Sequence, residues 1–121
     1  AHSSVFTEVE LQDWLLNLQA RMTVAAIDFE KLIRLLGQVH PSKFGRLIEG
    51  VRGFGIGEVF QLTSQVDALR FVSLVDRLYE QQVQIRNTGI PATDVFSEEM
   101  LSGGYRKKYL RAISRLGSMT S

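Results

Sequence analysis

Hydrophobic residues recur at helical spacing in three segments of the chain. The first segment follows Asp28, a residue type that often caps helices, and it ends at Gly37. The second starts at Pro41 and ends near Gly53, and the third and longest covers residues 65–81. Apolar positions three or four residues apart predict helices that bury one face.

Short apolar runs lie between these predicted helices. Residues 23–27, 54–62 and 83–85 are rich in β-branched and apolar side chains, which predicts strands, and residues 87–89 predict a turn. Helices that alternate with strands favour an α/β fold with at least one parallel strand pair. We therefore expect a small layered domain with a short, partly parallel sheet flanked by helices.

The N-terminal part of the chain has a less regular pattern. Residues 5–10 and 14–22 carry alternating or mixed apolar residues, which predict strand and hairpin structure. The first four residues, Ala1 to Ser4, have the composition of a cloning remnant. We expect residues 5–121 to form a single α/β domain.

The last predicted element is an amphipathic basic helix that follows Gly103 and Gly104. At 100° per residue, one arc of about 100° is apolar and is expected to pack inward; it contains Tyr105, Tyr109, Ala112, Ile113 and Leu116. The far arc is basic and contains Lys107, Lys108, Arg111 and Arg115, with Ser114 at its edge. Such a stripe is either a solvated helix face or a surface that binds a negative partner.

Charge is distributed unevenly over the chain. All 13 acidic residues and 9 of the 14 basic ones precede position 101, so residues 1–100 carry 9 − 13 = −4 and residues 101–121 carry +5. This separation predicts a surface that meets a nucleotide, a nucleic acid or an acidic partner.

Composition narrows the class of protein. The 121 residues, of which 45% are hydrophobic, suit one domain, and the chain has no cysteine. His2 and His40 lie far apart, so we predict no metal site. No apolar run of 18 residues is present, which predicts no transmembrane segment.

A glycine pattern in the second predicted strand imitates a phosphate-binding loop. Gly53, Gly55 and Gly57 alternate with apolar residues, but no Lys-Ser or Lys-Thr pair follows them. The chain also lacks GxxxxGK[ST] and an apolar strand that ends in paired acids. We therefore predict no catalytic residue and no ATP hydrolysis by this chain alone.

Four segments in order resemble a known family. Residues 70–79, RFVSLVDRLY, precede a strand at 83–85 and then LRAISRLGSM at 110–119, while Phe29-Glu30-Lys31-Leu32 follows a short strand upstream. This order resembles the C-terminal part of ZapE-type cell-division ATPases, members of the AAA+ P-loop superfamily with mitochondrial relatives. The likeness covers about residues 24–119. The chain departs from the family at Leu69, where a second arginine is common, and at Ser118, where glutamate is common.

The resemblance implies what the whole protein does. It implies a parent ATPase that uses ATP and magnesium and acts in cell division or protein quality control, and this chain would be its C-terminal fragment. The implied partners are the rest of the parent, neighbouring subunits of a homo-oligomeric ring and a cell-division protein. The implied compartment is the cytoplasm, or the mitochondrion if the source is a eukaryote.

The family motif also singles out candidate site residues. Arg111 and Arg115 match its two arginines, so we expect them, with Lys107 and Lys108, to contact nucleotide or a neighbouring subunit. The structural alternative pairs them with Asp76 or Glu80. Arg70, Asp76 and Ser114 are structural candidates. Two other functions stay open, namely a nucleic-acid module that stacks bases on Tyr105 or Tyr109, which the position of both tyrosines on the apolar arc disfavours, and an adaptor domain.

Overall fold

Three parallel strands form the centre of the fold in the computed structural model, which describes residues 5–121. They are β1 (Val24–Asp28), β2 (Gly53–Val59) and β3 (Gln84–Gly89), in the sheet order β1-β2-β3. Val24 pairs with Gly53, which in turn pairs with Gln84. The α/β prediction is confirmed, and both strand pairs are parallel, so the described sheet is more regular than the partly parallel sheet expected.

Within residues 5–121, six helices surround this sheet. Their bounds are α1 (Glu8–Gln19), α2 (Phe29–Leu36), α3 (Phe44–Leu47), α4 (Gln65–Glu80), α5 (Glu98–Leu101) and α6 (Arg106–Met119), and single 3-10 turns lie at Pro41–Lys43 and Ala92–Asp94. The sequence analysis predicted α2, α4 and α6 within one or two residues. None of the helices in residues 5–121 is long and apolar enough to cross a membrane.

Strand and hairpin structure at residues 5–22 was a wrong prediction, because this region forms helix α1. Thr7 and Glu10 form a capping box, in which the Thr7 side chain accepts a hydrogen bond from the Glu10 N–H and the Glu10 carboxylate accepts one from the Thr7 N–H. The buried residues Leu11 and Leu18 are seven positions apart, which is a helical spacing. Leu16, which suggested alternation, is 61% exposed.

Helix α1 packs on one face of β2, where the glycines lie. A Cβ atom added at Gly55 would lie 2.9 Å from Leu15 Cδ1, and one added at Gly53 would collide with Leu18. The glycines therefore allow the helix to approach the strand closely. Their place inside a strand, beneath a helix, agrees with the prediction that they form no phosphate loop.

The main hydrophobic core lies on the other face of the sheet. It contains the buried strand residues Phe54 and Ile56, together with residues of α2, α4 and α6. Successive aromatic rings cross it: the centroid of Phe29 is 5.4 Å from Phe71, Phe71 is 6.3 Å from Phe96, and Phe96 is 4.8 Å from Tyr109. Helix α6 is thus attached to the α4 side of the sheet.

The carboxyl ends of β2 and β3 form an irregular ladder. The register shifts between Ile56 and Val59, and Glu58 adopts a left-handed backbone conformation with φ of 52°. The Glu58 N–H donates a hydrogen bond to Thr88 Oγ1 at 2.6 Å. The turn predicted at residues 87–89 is instead the end of β3. Gly89, with φ of 90°, packs against the backbone of Val59.

The outer edge of β3 is closed by both ends of the described chain. Val5 forms a parallel bridge with Asn87, and the Phe6 N–H donates to the Asn87 carbonyl at 2.8 Å. Arg86 donates to the Ile85 carbonyl at 2.7 Å and to the Ser121 carbonyl at 3.4 Å. Its guanidinium also lies over the rings of Phe6 and Trp14, at 6.0 and 5.4 Å from the centroids. The prediction of a cloning remnant falls on residues 1–4, which lie outside the described residues.

Candidate functional site

Helix α6 holds the basic residues that the sequence singled out. Its inner face is anchored by four buried side chains, Tyr109, Ala112, Leu116 and Met119. Tyr105 precedes the helix and is 40% exposed, so its predicted inward position was wrong. The other polar residues of α6 are exposed, apart from Arg115, which is partly buried.

Arg111 and Arg115 share one carboxylate of helix α4. Arg111 Nη2 donates to Asp76 Oδ2 at 3.1 Å, and Arg115 Nη1 donates to Asp76 Oδ1 at 2.6 Å. The Asp76 side chain is 17% exposed, against 30% for Arg115 and 45% for Arg111. This is the pairing that the structural alternative proposed, with Asp76 and not Glu80, which pairs with Arg77 at 2.9 Å.

Arg115 has a second contact that fixes its position. Its guanidinium carbon lies 4.8 Å from the centroid of the Tyr79 ring. An arginine that stacks on an aromatic ring and forms a short ion pair has little freedom to reorient. The sequence analysis did not predict this contact. Its signal is the spacing, because Tyr79 follows Asp76 by three residues and so lies on the same side of α4.

Arg111 differs from Arg115 because more of its N–H donors remain accessible to solvent. One of its terminal nitrogens binds Asp76, and its side chain is nearly half exposed. A guanidinium carries five N–H donors in a planar fork, so donors remain that can bind phosphate or carboxylate oxygens. Asp76 thus holds Arg111 in place without covering it.

Within residues 5–121, the other candidates form no ion pair with Asp76. Lys107 and Lys108 are exposed, and the Lys108 ammonium lies 5.7 Å from the Tyr105 ring centroid. Ser114 is exposed on the outer side of α6. Arg70 lies on α4 at the carboxyl end of α2, where its Nη1 is 3.4 Å from the position of a Cβ at Gly37. The negative end of the α2 dipole attracts a cation at this position, so Arg70 has a structural role.

The described residues do not build a nucleotide cradle. A phosphate loop needs backbone N–H groups between a strand and a helix, whereas Gly53 and Gly55 lie inside β2 beneath α1. In residues 5–121, no three His, Cys, Asp or Glu side chains are grouped closely enough to hold a metal ion. Among residues 5–121, neither the glycines of β2 nor any carboxylate cluster fits ATP or magnesium.

Comparison with known proteins gives one match. A family model described as AFG1-like ATPase matches residues 6–121, which is nearly the whole chain. No curated protein and no solved structure matches it. The matched region includes α1, which the resemblance noted from the sequence did not cover. The chain therefore belongs to the AFG1-like ATPase family of AAA+ proteins.

Proposed function

We propose that this chain is the C-terminal part of a ZapE-type AAA+ ATPase and that Arg111 contacts nucleotide or a neighbouring subunit in the assembled enzyme. The observation that carries the proposal is the state of Arg111, which is oriented by Asp76 yet 45% exposed. An arginine held in this way is prepared to bind an anion at little entropic cost.

The C-terminal motif supports the same assignment. Arg111, Ser114 and Arg115 occupy the positions of Arg-x-x-Ser-Arg in the family pattern. Arg115, which is paired and stacked, serves as a positioning residue that keeps Asp76 in place. Lys107 and Lys108 add positive charge beside Arg111 and attract the same partner.

The remaining parts of the enzyme lie outside this chain. The parent binds ATP and magnesium through a phosphate loop and acidic residues that these 121 residues lack. The parent forms a homo-oligomeric ring, acts with a cell-division protein, and works in the cytoplasm or, in a eukaryote, the mitochondrion. These properties follow from the ZapE-type assignment.

ATP turnover of the full-length protein tests the role of Arg111. We expect Arg111→Ala to lower turnover by roughly a thousandfold, the effect of losing an arginine that stabilises phosphoryl transfer. The unfolding free energy of the chain should change by about 1 kcal/mol or less, because the Arg111 side chain is 45% exposed and Asp76 keeps its shorter pair with Arg115. The matched control is Arg34→Ala, since Arg34 also pairs with a carboxylate at 3.1 Å on an exposed helix face.

Three results separate the roles. Lost turnover with intact stability supports the proposal, and unchanged turnover overturns it. Lost turnover together with a collapsed thermal midpoint also overturns it, because Arg111 would then be a structural residue. Arg115→Ala should lower stability more than Arg111→Ala, since it removes both an ion pair and a ring contact.

The nucleic-acid alternative has weaker support. Tyr109 is buried at 1% exposure and has no face on which a base could stack. Tyr105 remains exposed but lies under Lys108. Binding of single-stranded DNA that weakens steeply with salt would favour this alternative.

A further inference from the structure

An open cleft lies at the carboxyl ends of the strands, on the α1 face of the sheet. Its volume is about 800 Å³, and Ala26, Gly55 and Gly57 form part of its floor. Leu11 and Leu15 of α1 form one wall. Helix α1 packs mainly on β2 and only in part on β1, and Ala26 of β1 is exposed on this face. Strands of parallel sheets are normally covered on both faces, which makes this bare region an unoccupied packing surface.

The rim of the cleft is acidic. Glu8, Asp28 and Glu58 line it, all three are exposed, and within residues 5–121 none of their carboxylates forms an ion pair. Lys31 is the one cation among the lining residues. The cleft therefore combines a floor of small side chains with a net negative rim, which suits an apolar anchor flanked by positive charges.

The outer face of α6 has this composition. Leu110 is 38% exposed although it lies in a basic helix. Arg106 and Lys107 lie four and three residues before it, hence on the same side of the helix. Both are exposed, and neither forms an ion pair with the described part of the chain. Lys107 also lies four residues before Arg111, so this side borders the Asp76 contact of Arg111 and Arg115.

We propose that the cleft of one copy of the chain binds the outer face of α6 from a second copy. Leu110 packs against Ala26 and Leu15, and Arg106 and Lys107 approach the acidic rim. The segregation of charge supports this occupant, because residues 1–100 carry −4 and residues 101–121 carry +5. The inference rests on the proposed function for the identity of the neighbour and names the two surfaces through which subunits meet.

The position of the two surfaces determines the symmetry. The cleft lies on the α1 face of the sheet, while α6 packs with α4 on the opposite side. The two surfaces differ, so the contact is heterologous and repeats from copy to copy. A ring or an open chain of subunits results, not a closed two-fold dimer.

Analytical ultracentrifugation of the 121-residue chain tests the contact. We expect concentration-dependent association in low salt that weakens at least tenfold in 0.5 M NaCl, because salt screens exposed charges. Lys107→Glu and Glu58→Lys should each weaken association at least tenfold. A mixture of these two variants should recover it, because each then supplies the charge that the other lacks. Leu110→Ala removes the anchor without changing charge and should also weaken association.

The control is Lys43→Glu, an exposed lysine outside both surfaces, which should not weaken association. Thermal unfolding of each variant establishes that it is folded. A chain that stays monomeric in low salt at millimolar concentration overturns the inference, as does association that neither Lys107→Glu nor Glu58→Lys weakens. Single variants that weaken association without recovery in the mixture also overturn it, since a different partner segment would then occupy the cleft. None of these results depends on Arg111, so the ATP turnover experiment can fail or succeed independently.

Discussion

Tyr109 of helix α6 is buried, and its hydroxyl group lacks a hydrogen-bond partner among the described residues. The residue is 1% exposed, its ring packs on Phe96 at 4.8 Å, and its hydroxyl has no hydrogen-bond partner among residues 5–121. A buried hydroxyl without a partner costs about 1–3 kcal/mol of stability. Burial, with a smaller contribution from Tyr105, raises the pKa of Tyr109 above its ordinary value of 10.0.

Replacing this hydroxyl tests both statements. We expect Tyr109→Phe to raise the urea midpoint at neutral pH, because the unfolding free energy should gain up to the about 1–3 kcal/mol that the unpaired hydroxyl costs. The matched control is Tyr105→Phe. Tyr105 is 40% exposed, so the loss of its hydroxyl should leave the urea midpoint unchanged. A lower midpoint for Tyr109→Phe would contradict the prediction and would show that the hydroxyl has a stabilising contact.

Alkaline pH should separate the same two proteins. The native pKa of Tyr109 is raised, so the unfolded chain releases this proton at lower pH than the folded one. Its contribution to stability is therefore fully present below the ordinary pKa and is lost as pH rises through the native value. The unfolding free energy of the unsubstituted chain should fall more steeply above pH 10.0 than that of Tyr109→Phe. Parallel curves for the two proteins would count against this assignment.

The sequence predicted individual residues well where periodicity decides their position. Tyr109, Ala112 and Leu116 are buried as the helical arc required. Tyr105 was misplaced because it precedes the first turn of α6, where the helical angle no longer applies. The pairing of Arg111 with Asp76 could be named only as an alternative, since residues 35 positions apart are brought together by packing that a local pattern does not reveal.

At the scale of elements, helix α1 shows how one glycine pattern and one helix depend on each other. The helix buries few side chains and presents mixed polarity, so its sequence resembles a hairpin as much as a helix. Helix α1 packs against the alternate glycines of β2. These glycines indicate a packing site for a helix only once that helix is known. Sequence periodicity predicted both strands of the β2–β3 pair but not which face of the sheet would be covered.

A Gly53→Ala substitution should destabilise the chain by about 1–3 kcal/mol, the usual result of overpacking. The added methyl group would collide with Leu18 of α1 and approach Val24 Cγ1 to 3.1 Å. The control is Gly117→Ala in α6, where a Cβ meets nothing within 4 Å. That change should stabilise the helix by about 0.5–1 kcal/mol. Urea unfolding measures both, and a neutral Gly53→Ala would mean that α1 can move away from β2 without loss.

For the whole molecule, the alternation of helices and strands was sufficient to predict an α/β fold with parallel pairing. It could not predict that α1 and α6 lie on opposite faces of the sheet, because each attaches through contacts distant in sequence. The match of the family model to residues 6–121 extends over both helices. Both helices therefore lie within the region that the family model matches.

The closure of β3 by Val5, Arg86 and Ser121 brings the two ends of the described chain side by side. Because these ends are neighbours, the order in which the elements follow one another is not essential to the fold. We expect a short linker to join Ser121 to Val5, because Ser121 contacts Arg86 and Val5 pairs with the next residue, Asn87. New ends can then be opened between Gly103 and Gly104, where both residues are exposed.

We expect this circular permutant to unfold cooperatively in urea. A permutant opened inside α4, between Leu74 and Val75, should not fold, because both side chains are buried at 1% exposure or less. A permutant opened at Gly103 that lacks cooperative unfolding would mean that the continuity of the α5–α6 connection, and not only its packing, is required to form the domain.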